Sequence, residues 1–283
     1  MDRRKFVFSS CTTLLLAGCK SAETQPTLRI SMIPTTDPGK LIRQSQPLVD
    51  YLQKQTGAKI DLTVPTSYAA VVEAITSNRV DIAYLGGFTY VQAAARAGVQ
   101  PLVQRLRDKN FHSLFITQTN SSIQSMADLK GKTFAFGDIN STSGHLMPSF
   151  YMRQEKVDPM VIDKAIFTGG HDATALAVAH QRVDAGAMDE LVYKTMMEKG
   201  AITAAQVRVF YTTPPFFDYV WVARSGLNPV LAEKFTHALL ALDEANPQDK
   251  TLLDLLNAHK YGVAQSADYG PLRQAAKDDG LLQ

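Results

Sequence analysis

From residue 28 onward, short apolar runs alternate with longer stretches in which apolar positions recur every three or four residues. The runs 28–33, 59–64 and 81–84 read as strands, with helical patterns at 41–55 and 69–78 between them. Such alternation predicts βαβ units, a mostly parallel sheet and an α/β fold. A second set follows, with strand runs at 112–118, 133–136, 164–168 and 185–188 and helical patterns at 144–154 and 173–180. Two sets of this kind predict two lobes. The runs 207–211 and 219–223 read as later strands, and 229–257 shows helical periodicity in Val230, Phe235, Leu239, Leu240, Leu252 and Leu256.

Ahead of this domain the pattern changes. Met1-Asp2-Arg3-Arg4-Lys5 gives way to an uncharged stretch over 7–16 and then to Leu16-Ala17-Gly18-Cys19. A basic start, a short apolar run and small residues predict a cleaved export signal over 1–18, since the run falls short of the roughly 20 residues that span a bilayer. Leu16-Ala17-Gly18-Cys19 resembles the lipobox of bacterial lipoproteins, which implies cleavage after Gly18 and lipid on Cys19. Arg3-Arg4-Lys5-Phe6 resembles a twin-arginine signal, which implies export in the folded state. Residues 19–27 then form a lipidated tether, short and polar as flexible linkers are. The expected place is the periplasmic membrane surface, held by the lipid.

Composition narrows the picture in two ways. The chain has two cysteines, Cys11 and Cys19, and cleavage discards Cys11, so the exported domain has no internal disulfide and depends on its core. The formal net charge of +2 comes from the signal, because basic and acidic residues balance once Asp2, Arg3, Arg4 and Lys5 are gone. Nothing in that balance points to nucleic acid.

Four segments carry a resemblance: Ser67-Tyr68 before a helix, Val80-Asp81-Ile82-Ala83-Tyr84-Leu85-Gly86, Asp128-Leu129-Lys130-Gly131-Lys132, and Ser141-Thr142-Ser143-Gly144. In this order they resemble the periplasmic phosphonate- and phosphite-binding proteins of ABC importers, a branch of the type II solute-binding fold. The resemblance implies two lobes, 28–111 with 222–283 and 112–221, joined by two crossover strands and closing on a ligand. That ligand is a small phosphorus oxyanion: phosphite, methylphosphonate or another phosphonate. A membrane permease is the implied partner, and the expected state is a monomer without cofactor or metal. Tyr68 and Tyr84 match positions that line the cleft in that family, and an acidic contact falls near Asp189.

The residues themselves suggest the chemistry. Ser141, Thr142 and Ser143 lie between a strand and a helix, where unpaired N–H groups and the helix dipole attract an anion without lysine or arginine. The competing reading is an ordinary N-cap serine. Gly144 removes a side chain where the backbone must approach the ligand closely, and Pro148 either sits in the first turn or kinks the helix. His171 follows Thr168-Gly169-Gly170 and offers a donor to a ligand oxygen, whereas Asp172 doubles as an N-cap candidate. His145 lies beside the serines as a further candidate. Asp189 closes a strand at the edge where α/β sheets bind ligands. An acid there faces an anion only across a proton, or pairs with a ligand amine. Its neighbour Glu190 points to the opposite face.

Two rival functions use different features. A phosphoryl hydrolase would need an activated serine or a metal, yet the chain has no G-x-S-x-G, H-E-x-x-H or P-loop, and its six histidines show no ligand spacing. A ligand sensor would use the same fold and closure as a transporter.

Overall fold

The computed structural model describes residues 25–158 and 164–282, so the signal, Cys19 and most of the tether lie outside the described residues. Within them the chain builds two sheets. The first has six strands in the order β11-β4-β10-β3-β1-β2. These are β1 (Thr27–Met32), β2 (Lys59–Thr63), β3 (Ile82–Leu85), β4 (Gln100–Arg105), β10 (Val220–Ala223) and β11 (Tyr261–Val263). The second has five, in the order β7-β6-β8-β5-β9: β5 (Ser113–Gln118), β6 (Thr133–Phe136), β7 (Lys164–Phe167), β8 (Ala185–Asp189) and β9 (Val207–Thr212). In each sheet the inner strands run parallel and the strand from the other part of the chain inserts antiparallel.

Helices cover both faces of both sheets, as parallel strands require. On the first sheet, α1 (Pro38–Thr56), α7 (Pro229–Leu240) and α8 (Pro247–Leu255) pack a core of Leu28, Ile30, Leu48, Leu52, Trp221 and Phe235. On its other face, α2 (Tyr68–Thr76), α3 (Gly87–Ala97) and α9 (Gly270–Asp278) bury Val71, Ile75, Phe88, Val91 and Leu272. The second sheet lies between α4 (Met147–Gln154) on one side and α5 (His171–Ala179) with α6 (Glu190–Glu198) on the other.

Local signals place the helix ends. Asp37 accepts the Lys40 amide ahead of Pro38, and Gly57 closes α1 with φ +70°, a conformation that favours glycine. Asn246 and Pro247 restart the helix after Ala241, so the periodic stretch expected over 229–257 is two helices, α7 and α8. The chain re-enters the first sheet at Val220, with Val220 opposite Leu85 and Trp221 opposite Tyr84, because the Trp221 ring packs on Phe235 in the first core.

Two segments join the sheets: 106–112 after β4 and 213–219 before β10. They are paired to each other. Phe111 and Phe216 exchange both backbone hydrogen bonds, at 2.9 and 3.0 Å, and the Asp218 amide donates to the Asp108 carbonyl at 2.9 Å. Two lobes with two such crossovers are the type II periplasmic-binding-protein architecture.

One buried acid pins the far end of the first sheet. Asp81 accepts from the Arg29 amide and guanidinium and from Arg224 Nε, all at 2.8–3.0 Å, linking the starts of β1 and β3 to the end of β10. Burial opposes its charge, but these donors outweigh burial and hold its carboxyl below the usual range. Asp81→Ala should cost about 2–3 kcal/mol in urea unfolding, since it strands two arginines. The stabilisation is present above the unfolded carboxylate pKa and is lost as pH falls through the lower folded value, so wild type and variant should converge in acid. Equal stability at neutral pH would contradict this role.

Candidate functional site

The loop after β6 turns at Asp138, whose Oδ1 accepts the Asn140 amide at 2.7 Å, and brings Ser141 to the start of a helical run. That run opens with a wide π turn, Thr142–Leu146, and continues as α4. Pro148 sits at the second residue of α4, and its missing N–H leaves the Gly144 carbonyl free of its usual helical partner. The Gly137 amide takes that carbonyl at 2.9 Å, which welds the end of β6 to the turn. The protein itself leaves no room for a side chain at Gly144. A Cβ there would lie 2.9 Å from His171 Cε1 and from Ser141 Oγ, and 3.2 Å from the Gly137 Cα.

Around this turn the structure gathers Ser141, Thr142, Ser143, Tyr68, His171 and Asp189, none more than 2 % exposed. Ser141 does act as the N-cap, its Oγ accepting the Gly144 amide at 3.0 Å. Thr142 reaches across the cleft: its Oγ1 accepts the Phe88 amide of the first lobe at 3.0 Å and lies beside the Asp218 carboxyl at Gly86. Ser143 Oγ is buried with no partner among the described residues. The Thr142 and Ser143 amides stand in the first turn, where N–H groups have no helical acceptor.

His171 begins α5, capped by Gly170, so Asp172 lies in the first turn and is not the N-cap. Asp172 accepts the Ala173 amide at 2.9 Å and the Asp37 amide at 3.4 Å from the other lobe. The Asp189 amide donates to His171 Nδ1 at 3.2 Å, which puts the imidazole proton on Nε2, 3.4 Å from the Tyr68 hydroxyl. Burial holds His171 below the usual histidine range against the nearby acids, so it is neutral at physiological pH. Burial likewise keeps Tyr68 a phenol. With His171 Nε2–H directed at its oxygen, Tyr68 has its own proton left for an acceptor.

Asp189 caps α6. Its Oδ1 accepts from the Leu191 and Val192 amides at 2.5 and 2.9 Å, and its Oδ2 accepts from the Tyr219 hydroxyl at 2.6 Å. Both oxygens are occupied by the protein. Glu190 is half-buried beside His112, away from the serines. Tyr84 stands one ring behind the cluster, stacked on Tyr219 at 5.3 Å and tilted against Trp221 at 4.8 Å. His145 turns away, with Nδ1 2.7 Å from the Ile139 carbonyl and its ring against Phe136 and Phe167.

The acid in the cluster with a free oxygen is Asp218, on the second crossover. Its Oδ1 accepts the Gly87 amide at 3.0 Å, and its Oδ2 is buried without a partner among the described residues. Burial pushes its carboxyl up to about 8, against the opposing pull of the Gly87 amide and the Thr142 hydroxyl. Gly86 is what admits it, since a Cβ there would sit 2.9 Å from Thr142 Oγ1 and 3.2 Å from Asp218 Oδ1. Sequence reading passed over Asp218 because it lies among aromatics in an irregular segment. Its position before the return strand, at a crossover between lobes, is the signal that could have found it.

Further bonds hold the lobes together on this side: Gln92 Nε2 to Asn140 Oδ1 at 3.0 Å, the Tyr68 amide to Asp138 at 3.4 Å, the His171 amide to the Thr35 carbonyl at 3.1 Å, and an Arg153–Asp279 ion pair. At the serine turn the closed cleft offers hydrogen-bond donors without a lysine or arginine.

A family model described as an ABC transporter phosphonate periplasmic substrate-binding protein matches residues 30–269. The chain belongs to this family. Among relatives of this phosphonate-binding family, a probable ABC transporter phosphite-binding protein from Prochlorococcus marinus is 30 % identical over 263 residues, covering 88 % of this chain and 89 % of that protein. A phosphate-import protein from Mycolicibacterium smegmatis is 32 % identical over 249 residues, covering 80 % and 78 %. The solved Prochlorococcus structure in complex with methylphosphonate superposes with a TM-score of 0.85 at 28 % identity, covering 90 % of this chain and 99 % of that one. An aliphatic sulphonate-binding protein from Escherichia coli, at 18 % identity and TM-score 0.62, shares the fold. Membership sets the hydrolase reading aside: the family is made of exported binding components of importers, not enzymes.

Asp218 also gives the site a pH signature. Its folded pKa of about 8 lies above the unfolded value, so its stabilising contribution is complete below pH ~4 and is lost as pH rises through about 8. Asp218→Asn removes that loss. In urea titrations from about pH 5 to about pH 9, the variant should gain stability relative to wild type as pH rises. Parallel pH profiles would refute the raised pKa.

Proposed function

We propose that the protein captures a small phosphorus oxyanion, phosphite or methylphosphonate, between its lobes and delivers it to a membrane permease. The observation that carries this reading is that two buried polar atoms close to the serine turn have no partner among the described residues, Ser143 Oγ in the turn itself and Asp218 Oδ2 on the second crossover. A protonated carboxyl donates to an oxyanion where a carboxylate would repel it. With the free proton of Tyr68 and the first-turn amides, this makes a neutral shell of donors suited to a tetrahedral anion. Ser141, Thr142 and His171 hold that shell in shape as well as bordering it. Asp189 and Tyr84 serve it from behind, Asp189 by orienting His171 and Tyr219, and Tyr84 by stacking on Tyr219. Neither Asp189 nor Glu190 presents a free carboxylate to the hollow, which favours a ligand without an amine. The names of the relatives point the same way, one to phosphite and one solved with methylphosphonate.

The lobes of this reading are 28–111 with 222–283, and 112–221, the return falling at Val220 by strand pairing. The same reading attaches the mature protein to the membrane through Cys19, whose lipid raises its effective concentration at the permease. Among the described residues no helix is long and apolar enough to cross a membrane. Cys19→Ala should move the exported protein from the membrane fraction to the soluble periplasmic fraction, and a variant that stays membrane-bound would count against the anchor.

Calorimetric titration with phosphite, methylphosphonate, 2-aminoethylphosphonate and phosphate tests the ligand. Phosphite or methylphosphonate should bind, and Ser143→Ala should weaken binding by about 1.5–3 kcal/mol, roughly 10- to 100-fold. Affinity should fall as pH passes about 8 in wild type and hold steadier in Asp218→Asn. If none of the four ligands binds, the phosphorus-oxyanion reading fails.

A further inference from the structure

A second compartment lies in the same cleft, on the side away from the serine turn. It is a cavity of about 310 Å³ between α1 and α8 of the first lobe and α5 and α6 of the second. That volume is at the lower end of the roughly 300–1,000 Å³ found for small-molecule sites. Ser141, Thr142, Ser143, Tyr68 and His171 are not among its walls. Asp189 and Tyr84 do line it, with Tyr219, whose hydroxyl donates to Asp189 at 2.6 Å, and the Asp189 amide in turn holds His171. By its lining the cavity adjoins the back of the cluster and is distinct from the serine turn.

Its lining is mostly apolar, with Leu41, Trp221 and Leu255 from one lobe facing Leu176, Val192 and Met196 from the other. Two charges border it from opposite lobes, Lys40 on α1 and Lys199 at the end of α6. Both are exposed, and neither is in an ion pair among the described residues. The acids on the wall are engaged: Asp172 accepts the Ala173 and Asp37 amides, and Asp189 accepts the Leu191 and Val192 amides and the Tyr219 hydroxyl. Arg105 also reaches the wall but is neutralised by Asp108 at 2.7 Å.

An apolar chamber rimmed by two uncompensated ammonium groups suits one kind of occupant. We propose that it binds a small amphipathic anion, its apolar body between the lobes and its acidic head at Lys40 and Lys199. Because each lobe supplies half the chamber, such an anion binds the closed arrangement and not the open one. By linkage it tightens the hold on the oxyanion, and the oxyanion tightens the hold on it. The coupling rests on the oxyanion reading; the binding does not.

The test uses octanoate as probe in calorimetric titrations of the purified protein, with and without saturating methylphosphonate. Octanoate should bind saturably, should still bind Ser143→Ala, and should lower the methylphosphonate dissociation constant by about 5-fold, the lower end of usual couplings. Met196→Trp, which fills the chamber, and the double variant Lys40→Glu/Lys199→Glu should each lose octanoate while still binding methylphosphonate. If Met196→Trp misfolds, the double variant decides alone, since both lysines are on the surface. The proposal is overturned if wild type shows no saturable octanoate binding, if octanoate competes with methylphosphonate, or if the double variant binds octanoate as well as wild type does. Octanoate binding by a protein that ignores methylphosphonate would support the chamber and remove only the oxyanion reading.

Discussion

The hydroxyl of Thr142 accepts the Phe88 amide of the first lobe and stands beside the Asp218 carboxyl of the second crossover, so one side chain of the second lobe meets the other lobe and the hinge at once. The Phe88 bond does not survive an opening of the cleft by more than the length of a hydrogen bond. Much of the site follows from this. It draws the serine turn over Gly86, where Thr142 and Asp218 meet, with Tyr68 against His171. The arrangement needs two bare backbone positions, Gly86 and Gly144, where a Cβ would fall 2.9 Å from a neighbouring atom.

Closing so many polar groups away from water sets the protonation of the site. A buried histidine gives up its charge and a buried carboxyl keeps its proton, and both shifts remove formal charge from the hollow. An anion entering it meets dipoles and hydroxyls instead of ammonium or guanidinium groups. The site can then favour an anion by geometry while the bulk of the exported domain carries balanced charge. Arg105, the nearest guanidinium to the cluster by the ring contacts, is 5.2 Å from the Tyr219 ring centroid and paired with Asp108, so it supports the wall without projecting charge into the hollow.

Sequence reading recovered what periodicity and caps encode. The strands from β1 to β3 and β5 to β10, the helices α1, α2 and α5, and the serine turn were all visible as patterns or as family markers. It overlooked α3, whose residues from Gly87 to Ala93 are all buried and so show no polar stripe, and β11, a three-residue edge strand. It also overlooked β4, where Pro101 argues against a strand yet stands at its start. Of two buried acids it singled out Asp189 and not Asp218. An acid at a strand end can be read from spacing, but which of two acids has a free oxygen depends on Tyr219 and Gly87, neighbours fixed only by the tertiary fold.

The paired crossovers give the lobes a mechanical property that neither segment has alone. Two tethers joined at midspan by the reciprocal Phe111–Phe216 hydrogen bonds act as a ribbon and not as two strings. A ribbon flexes across its plane but resists shear between its two chains, because shear would break the shared bonds. The lobes can therefore rock open about a single axis while keeping their lateral alignment, so that each closure returns Thr142 to the same Phe88 amide.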